Sequence, residues 1–261
     1  MSSNKDGFTA HGIDHGSNSM IGDFTDAPDY FVARRLKNIP FAMGVAVDSG
    51  TAIEAGVEKI LVDKCSIEEG IDEAFKVYDA LVALKMSDPN LTKRRESIAT
   101  SVALAADALK YYGPLELPEN GRQHKIKVEC VTENWRLPII GYLDFKFPHA
   151  PRGKTVVDLK TTFRMPGKMS LGHQRQRAIY ATANPGWRVE FLYVTPKKSQ
   201  VLEDGDVEEI MAATKEQFRR LERFLSAGDA DYLASIVPVN PDNWKWSSAT
   251  ARQVCREFYG V

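Results

Sequence analysis

Residues 137–162 read LPIIGYLDFKFPHAPRGKTVVDLKTT, two apolar runs on either side of the short Pro- and Gly-containing connection PHAPRG. Apolar and β-branched residues dominate both runs, which predicts two β-strands joined as a hairpin. Alternate residues of a strand share one face of a sheet. If residue 147 pairs with residue 155, Asp144 falls opposite Asp158, and we expect both carboxylates close together on one face.

Lys160 shares the face of Asp158, while Val157 and Leu159 supply the opposite, apolar face. Two acids and a lysine are costly to bury on a central hairpin unless they bind something. Close carboxylates repel each other, and a hard divalent cation such as Mg²⁺ or Mn²⁺ offsets that repulsion. The pattern therefore predicts metal-assisted phosphodiester hydrolysis, in which Lys160 holds or helps to deprotonate the attacking water and compensates phosphate charge.

The same residues also admit a purely structural interpretation. Asp144, Lys146, Asp158 and Lys160 could form a cross-strand ion network on a solvated sheet face. Asp144-Phe-Lys146 is moreover a second acid–x–Lys triplet beside Asp158-Leu-Lys160, so the catalytic lysine has to be chosen between two candidates. We choose Lys160.

Outside this hairpin, the chain is predicted to be mostly helical up to residue 112 and to alternate strands with helices after residue 122. Helical spacing and end signals predict helices over about 25–36, from Asp48 or Ser49 to about 62, from a capping box at Ser66–Glu69 onward, and over 94–112. Past residue 122, predicted strands alternate with helices over 170–183 and 207–228, and a short helix near 248–259 ends the chain. This order predicts an α/β fold with a mixed central sheet flanked by helices and a helical N-terminal portion.

We expect one domain over residues 21–261, preceded by a flexible polar arm at 1–20 that is rich in Gly and Ser. The domain divides into a helical part (21–112), a catalytic sheet core (122–200) and C-terminal helices (205–261). A length of 261 residues allows a proper core, and 43% hydrophobic residues exclude wholesale disorder.

Charge and cysteine usage exclude several classes of protein. Lys+Arg 34 against Asp+Glu 35 leaves a formal charge of -1, which excludes a histone-like mode of DNA binding but not a local basic groove. No apolar run is long enough for a membrane span or for the core of a signal peptide. Cys65, Cys130 and Cys255 match neither a disulfide framework nor paired zinc ligands, so we expect a reducing cytoplasm.

Taken together, these motifs carry a resemblance. Gly141-Tyr-Leu-Asp144, then Asp158-Leu-Lys160, then Gln176-Arg-Ala-Ile-Tyr180 resemble the RecB-like branch of the PD-(D/E)XK nuclease superfamily, whose order is G-x-x-D, D-x-K, Q-x-x-x-Y. The segment Ser17–Tyr30 is similar to that branch's opening segment, and Gly50-Thr-Ala-Ile-Glu54 to its G-x-x-x-H/E helix. The resemblance covers roughly residues 17–200.

This resemblance implies a restriction-endonuclease-like fold and a site made of specific residues. Asp144, Asp158 and Lys160 would be catalytic, and Mg²⁺ or Mn²⁺ would be held by Glu54, Asp144, Asp158 and the backbone carbonyl of Leu159. Gln176 and Tyr180, four residues apart on one helix face, would contact DNA, and Arg164, Lys168, Arg175 and Arg177 add positive charge suited to phosphates. His149 and His173 are left out of the catalytic set.

The resemblance also implies an activity and partners. It favours a DNA exonuclease of recombination, repair or phage DNA processing, acting on DNA with a free end in the cytoplasm of a bacterial or phage-infected cell. A single-strand annealing protein or a helicase is the expected protein partner, and no membrane partner is expected. The alternatives are an endonuclease of the same fold, an enzyme acting on RNA, and an inactive nuclease-fold protein that binds DNA or serves as a scaffold.

One departure concerns the iron–sulfur cluster that some RecB-like proteins hold with four cysteines. Ala27 occupies the position of the first of these cysteines, and only Cys255 lies in the C-terminal tail. We therefore expect no iron–sulfur cluster, and we expect aromatic residues of the tail segment NWKW to pack in that region instead.

Overall fold

The structure is a computed structural model that describes residues 6–40, 44–85, 88–117, 124–129 and 137–261. Residues 1–5 of the predicted arm, Cys130, and residues 122–123 and 130–136 of the predicted sheet core lie outside this described part. The described chain is an α/β protein with a mixed sheet, as the sequence predicts at that level. No helix within it is long and apolar enough to cross a membrane.

Helices dominate the first half of the described chain, and strands alternate with helices in the second half. The α-helices are α1 (Gly7–Ala10), α2 (Asn18–Asp26), α3 (Pro28–Phe31), α4 (Val45–Asp63), α5 (Ile67–Val82), α6 (Leu91–Lys110), α7 (Leu171–Ala183), α8 (Val207–Leu225), α9 (Ala230–Ile236) and α10 (Ala249–Tyr259). The strands are β1 (His124–Glu129), β2 (Pro138–Leu143), β3 (Phe145–Phe147), β4 (Thr155–Thr161), β5 (Arg188–Val194) and β6 (Ser199–Leu202). A π-helix, Val32–Leu36, follows α3, and a 3₁₀-helix, Trp244–Trp246, precedes α10.

The chain divides into two compact units. The first unit comprises residues 1–42, 127–141 and 206–261, and the second comprises 43–126 and 142–205. This division differs from the single predicted domain over 21–261, because the first unit gathers its helices from both ends of the chain.

In the first unit, residues 6–20 belong to the packed structure, whereas the sequence predicts a flexible arm there. Phe8, in α1, is 1% exposed, and its ring centre lies 6.5 Å from that of Phe218 in α8. Gly16 donates its N–H to the carbonyl of Pro138, and a Cβ at Gly16 would lie 2.4 Å from the Phe218 ring. The apolar ring of Phe8 is the physical reason for the order, because its burial stabilises a segment that is otherwise polar.

The C-terminal tail also packs in the first unit. Trp246 is fully buried, its ring meets that of Tyr30 edge-on at 5.0 Å, and its indole N–H donates to Asp29 Oδ2 at 2.9 Å. Ala27 and Cys255 belong to the same apolar cluster. The tail thus contributes the aromatic ring of Trp246 to a core cluster of this unit.

In the second unit, helices α4, α5 and α6 pack together and against the sheet. Ser66 begins α5 with the predicted capping box: its hydroxyl accepts from the Glu69 N–H, and the Glu69 carboxylate accepts from the Ser66 N–H. Glycines bring α4 and α5 unusually close, because a Cβ at Gly56 would lie 2.4 Å from the carbonyl oxygen of Gly70. The helices bury the apolar face of the sheet, which includes Val157.

The main sheet has the strand order β3-β4-β5-β6, and β1 and β2 form a separate pair. β3 and β4 are antiparallel, with Phe147 opposite Thr155 and Phe145 opposite Val157, so the predicted hairpin is confirmed and has the register that was assumed for it. β4 and β5 are parallel, and α7 lies between them in the chain, whereas β6 returns antiparallel to β5. One face of β4 packs on these helices through Val157 and Leu159, and the other face carries the buried Val156 together with Asp158 and Lys160.

Candidate active site

The hairpin brings the two predicted carboxylates together in the second unit. Asp144 lies at the bend between β2 and β3, and its Oδ2 accepts a hydrogen bond of 2.8 Å from the backbone N–H of Leu159 in β4. Asp158, the preceding residue of β4, is 1% exposed. The alternation of β4 turns Val157 and Leu159 into the core and leaves Asp158 and Lys160 on the opposite face.

Lys160 is the cation of this cluster. Its ammonium lies 2.5 Å from Asp158 Oδ2 and forms a direct ion pair with this buried carboxylate. Burial lowers the pKa of Lys160, yet the charges of Asp158 and Asp144 outweigh that effect and leave it above its ordinary value. Lys160 is therefore a positively charged donor in this form.

The acids repel each other. Burial and then the negative charges of Asp158 and Glu54 hold the pKa of Asp144 well above its ordinary value. Burial also raises the pKa of Asp158, with Lys160 opposing that rise. Glu54, on α4, is thus near enough to act on Asp144 through its charge. The site thus gathers three acidic side chains, and among the described residues Lys160 is the cation in ion-pair contact with Asp158.

Gln176 and Tyr180 connect α7 to the carboxylates rather than to the surface. The Gln176 amide donates to Asp158 Oδ1 at 3.1 Å and to the Tyr180 hydroxyl at 2.7 Å. That hydroxyl in turn donates to the carbonyl oxygen of Tyr142 at 2.5 Å. Tyr180 is 4% exposed, and burial raises its pKa far above the ordinary value. The two residues hold Asp158 and the strand that precedes Asp144 in place.

His173 belongs to the same surroundings, although the sequence analysis sets it aside. Its Nδ1 lies 2.5 Å from the hydroxyl of Tyr193. Burial, assisted by the charge of Lys160, lowers the pKa of His173 to about 4, so the ring is neutral near pH 7. A sequence signal existed, because His173 precedes Gln176 by three residues and so shares its helix face.

The lysine of the second acid–x–Lys triplet, Lys146, has other partners than the carboxylate pair. The Lys146 ammonium lies 2.5 Å from Glu116 Oε1 and 4.5 Å from the ring centre of Trp187. It therefore has its own carboxylate and aromatic partner away from Asp158. This favours Lys160 over Lys146 as the lysine of the carboxylate pair.

Four basic residues predicted to face DNA have different surroundings. Arg164 and Lys168 are exposed after β4. Arg175 is only 7% exposed. Arg177 donates to the carbonyl oxygens of Val189 and Gly205, at 3.0 and 3.1 Å, and so ties α7 to neighbouring segments of the second unit. Of these four residues, Arg164 and Lys168 have exposed side chains that a phosphate group could reach.

The donor set fits a hard divalent cation through two carboxylates. Asp144 and Asp158 supply the oxygen ligands that Mg²⁺ prefers, and Asp158 Oδ2 is in ion-pair contact with the Lys160 ammonium. Within the described residues, no three His, Cys, Asp or Glu side chains gather closely enough to hold a metal ion together. Glu54 lies near enough to this pair for its negative charge to raise the pKa of Asp144.

The comparisons with known proteins add little to this description. No protein-family model matches the chain, and no curated protein does either. Among solved structures, the crystal structure of SSO0001 is similar over 77% of this chain and 86% of that one, with 14% sequence identity and a TM-score of 0.35. A similarity this weak carries no conclusion about the fold family or the activity.

Proposed function

We propose that this protein is a metal-dependent nuclease of the restriction-endonuclease-like fold that hydrolyses phosphodiester bonds of DNA. The observation that supports this most is the buried Asp158, with the Lys160 ammonium 2.5 Å away and the carboxylate of Asp144 hydrogen-bonded to the next residue of β4, Leu159. Buried acids with raised pKa values and one close cation are costly for a fold and typical of a functional site.

Each residue of the cluster has a distinct role in this proposal. Asp144 and Asp158 would hold the cation, with the Leu159 carbonyl and Glu54 as the further ligands that the resemblance implies. A cation held there would supply positive charge at the scissile phosphate and would lower the pKa of the attacking water. Lys160, as a protonated donor, stabilises the charge that develops on the phosphate. Gln176 fixes the orientation of Asp158 through its amide.

The resemblance to RecB-like enzymes makes an exonuclease the preferred form of this activity. It also supports a substrate with a free end, a cytoplasmic site of action during recombination, repair or phage DNA processing, and a helicase or annealing protein as partner. An RNA substrate and an endonuclease are the competing outcomes of the test.

The test is digestion of linear and sealed circular DNA with Mg²⁺ or Mn²⁺ and with EDTA. We expect metal-dependent loss of linear DNA, intact circles, and a loss of rate by orders of magnitude in Asp144→Asn, Asp158→Asn and Lys160→Ala. Lys146→Ala is the matched control and should retain most of the activity, because Lys146 pairs with Glu116 instead.

Other outcomes are equally informative. Equal digestion of circles and linear DNA would replace the exonuclease with an endonuclease, and cleavage of RNA alone would change the substrate. Metal-independent binding of DNA without any hydrolysis would favour the inactive nuclease-fold protein. Activity in Lys160→Ala together with inactivity in Lys146→Ala would show that the wrong lysine was chosen.

A further inference from the structure

His173, in the first turn of α7, lies on the same side of the main sheet as the carboxylates. Its ring centre is 5.6 Å from that of Tyr193 and 5.8 Å from that of Phe191, both in β5. In the parallel register of β4 and β5, Phe191 stands beside Asp158, and Tyr193 stands beside Lys160. Residues that are paired in this way point to the same face of a sheet. His173 therefore covers the face that carries Asp158 and Lys160.

The imidazole of His173 and the ammonium of Lys160 border the same aromatic ring. The Lys160 ammonium lies 5.3 Å from the centre of the Phe191 ring, against which His173 also packs. Burial, and then the positive charge of Lys160, lower the pKa of His173 to about 4. A charge has this effect only when it is near. His173 is thus a neutral ring beside the lysine of the carboxylate pair.

The hydroxyl of Tyr193 fixes the tautomer of His173. Tyr193 is buried, and its hydroxyl lies 2.5 Å from His173 Nδ1. Burial raises the pKa of Tyr193 far above its ordinary value, so the hydroxyl keeps its proton. A buried hydroxyl needs an acceptor, and Nδ1 is the one that the described residues offer it. Tyr193 therefore donates to Nδ1, and the neutral ring carries its own proton on Nε2.

The Nε2–H group of His173 is a donor without a protein acceptor. Among the described residues, no side chain or carbonyl group forms a hydrogen bond with Nε2. His173 is only partly buried, so this side of the ring can be reached by a ligand. A donor that is fixed in place, neutral and next to an ammonium is suited to an oxygen on which negative charge develops.

We propose that His173 Nε2 donates a hydrogen bond to a non-bridging oxygen of the scissile phosphate, in the tautomer that Tyr193 fixes. This inference rests on the proposed nuclease function, in which Lys160 stabilises the charge of the same phosphate from β4. Negative charge on the oxygen increases in the transition state, so the bond contributes to kcat rather than to KM. The competing interpretation is that His173 only attaches α7 to β5 through Tyr193.

Two substitutions separate these interpretations, because asparagine and glutamine match different halves of the imidazole ring. In His173→Asn the amide oxygen replaces Nδ1 as the acceptor for Tyr193, and the donor at Nε2 is lost. In His173→Gln the amide N–H replaces Nε2, and the contact with Tyr193 is lost. Hydrolysis of a single-stranded and a duplex DNA oligonucleotide with Mg²⁺ is measured over a series of substrate concentrations to obtain kcat and KM.

His173→Asn should lower kcat about a hundredfold with little change in KM, because the lost bond is strongest in the transition state. His173→Gln should have a kcat about tenfold above that of His173→Asn. The opposite order, with wild-type kcat in His173→Asn and a loss in His173→Gln, would overturn the proposal. His149→Ala is the control: this exposed histidine lies in the connection between β3 and β4 and should leave kcat unchanged.

Tyr193→Phe is a second and independent variant. It keeps the aromatic ring in β5 and removes the hydroxyl that fixes the tautomer of His173. We expect kcat to fall several-fold while KM stays the same, and thermal unfolding in EDTA measures any loss of stability separately. If neither His173 variant folds, an unchanged kcat in Tyr193→Phe overturns the proposal.

The two proposals fail in different ways. A wild type that hydrolyses DNA with the same kcat as His173→Asn would remove His173 from the site and leave the nuclease. A wild type that hydrolyses no DNA with Mg²⁺ or Mn²⁺ would overturn the nuclease, and the inference on His173 with it.

Discussion

Replacement of Lys160 by methionine should destabilise the metal-free protein strongly. The variant keeps the length of the side chain but removes the only ammonium within ion-pair distance of Asp158 among the described residues. Asp158 is 1% exposed and lies near Asp144, so its charge would remain buried without a cation in ion-pair contact among the described residues. Breaking a buried pair in this way costs about 3–5 kcal/mol.

The lower end of that range applies, because the Lys160 side chain is 23% exposed and water already screens part of its attraction. About 3 kcal/mol lowers the melting temperature by roughly 6–12 °C in a chain of this size. The assay is urea and thermal denaturation in EDTA at pH 7. Lys146→Met is the control: its partner Glu116 is 36% exposed and can be rehydrated, so the loss should stay below about 1 kcal/mol.

The effect has a defined pH dependence and a defined rescue. A buried acid with a raised pKa destabilises the fold while it is charged, so Lys160→Met should regain stability as the pH falls through the pKa of Asp158. Asp158→Asn combined with Lys160→Met should also recover most of the loss, since neither charge remains. If Lys160→Met is no less stable than Lys146→Met at pH 7, the buried ion pair does not have the energetic role assigned to it.

Three further predictions follow from other contacts. Mn²⁺ at a hundredfold excess over Kd should stabilise the wild type by about 2.7 kcal/mol and so raise its melting temperature, whereas Asp158→Asn should show no such increase. An equal increase in both proteins would show that the cation binds at another site. Gly56→Ala should cost about 1–3 kcal/mol in denaturant unfolding, because its Cβ would lie 2.4 Å from the Gly70 carbonyl oxygen, whereas Gly167→Ala has open space and should be near neutral. His173, with a pKa of about 4, should stay neutral between pH 5 and 8, which ¹⁵N NMR can measure. Because the unfolded chain binds this proton more readily, the free energy of unfolding should decrease as the pH falls from 6.5 toward 4. A titration of His173 near its ordinary pKa of 6.5 would contradict its burial.

Local patterns were sufficient to predict the hairpin of the candidate site. The register of Phe147 with Thr155 depends on a short connection and on side-chain alternation, both of which are visible within 26 residues of sequence. The capping box of α5 is likewise contained in Ser66 to Glu69. The contact between Asp144 and the strand that carries Asp158 followed from that register.

Contacts between distant parts of the chain were not predictable in this way. Phe8 is ordered by Phe218, and no periodicity near residue 8 indicates a partner two hundred residues away. Arg177 reads as a surface cation on a helix until Val189 and Gly205 supply carbonyl acceptors. The stacking of Arg94 on Phe163 also joins segments that no local pattern connects.

The division of the chain into interleaved segments has a consequence for biosynthesis. The second unit is complete once residue 205 has left the ribosome, so the carboxylate cluster can assemble while translation continues. The first unit must wait for residues 206–261, and until then the apolar side chain of Phe8 stays without Phe218. Translation at about 5–20 residues per second makes this an interval of seconds in which chaperones have apolar surface to bind. Substitutions in α8 should therefore act first on the yield of folded protein and only then on its activity.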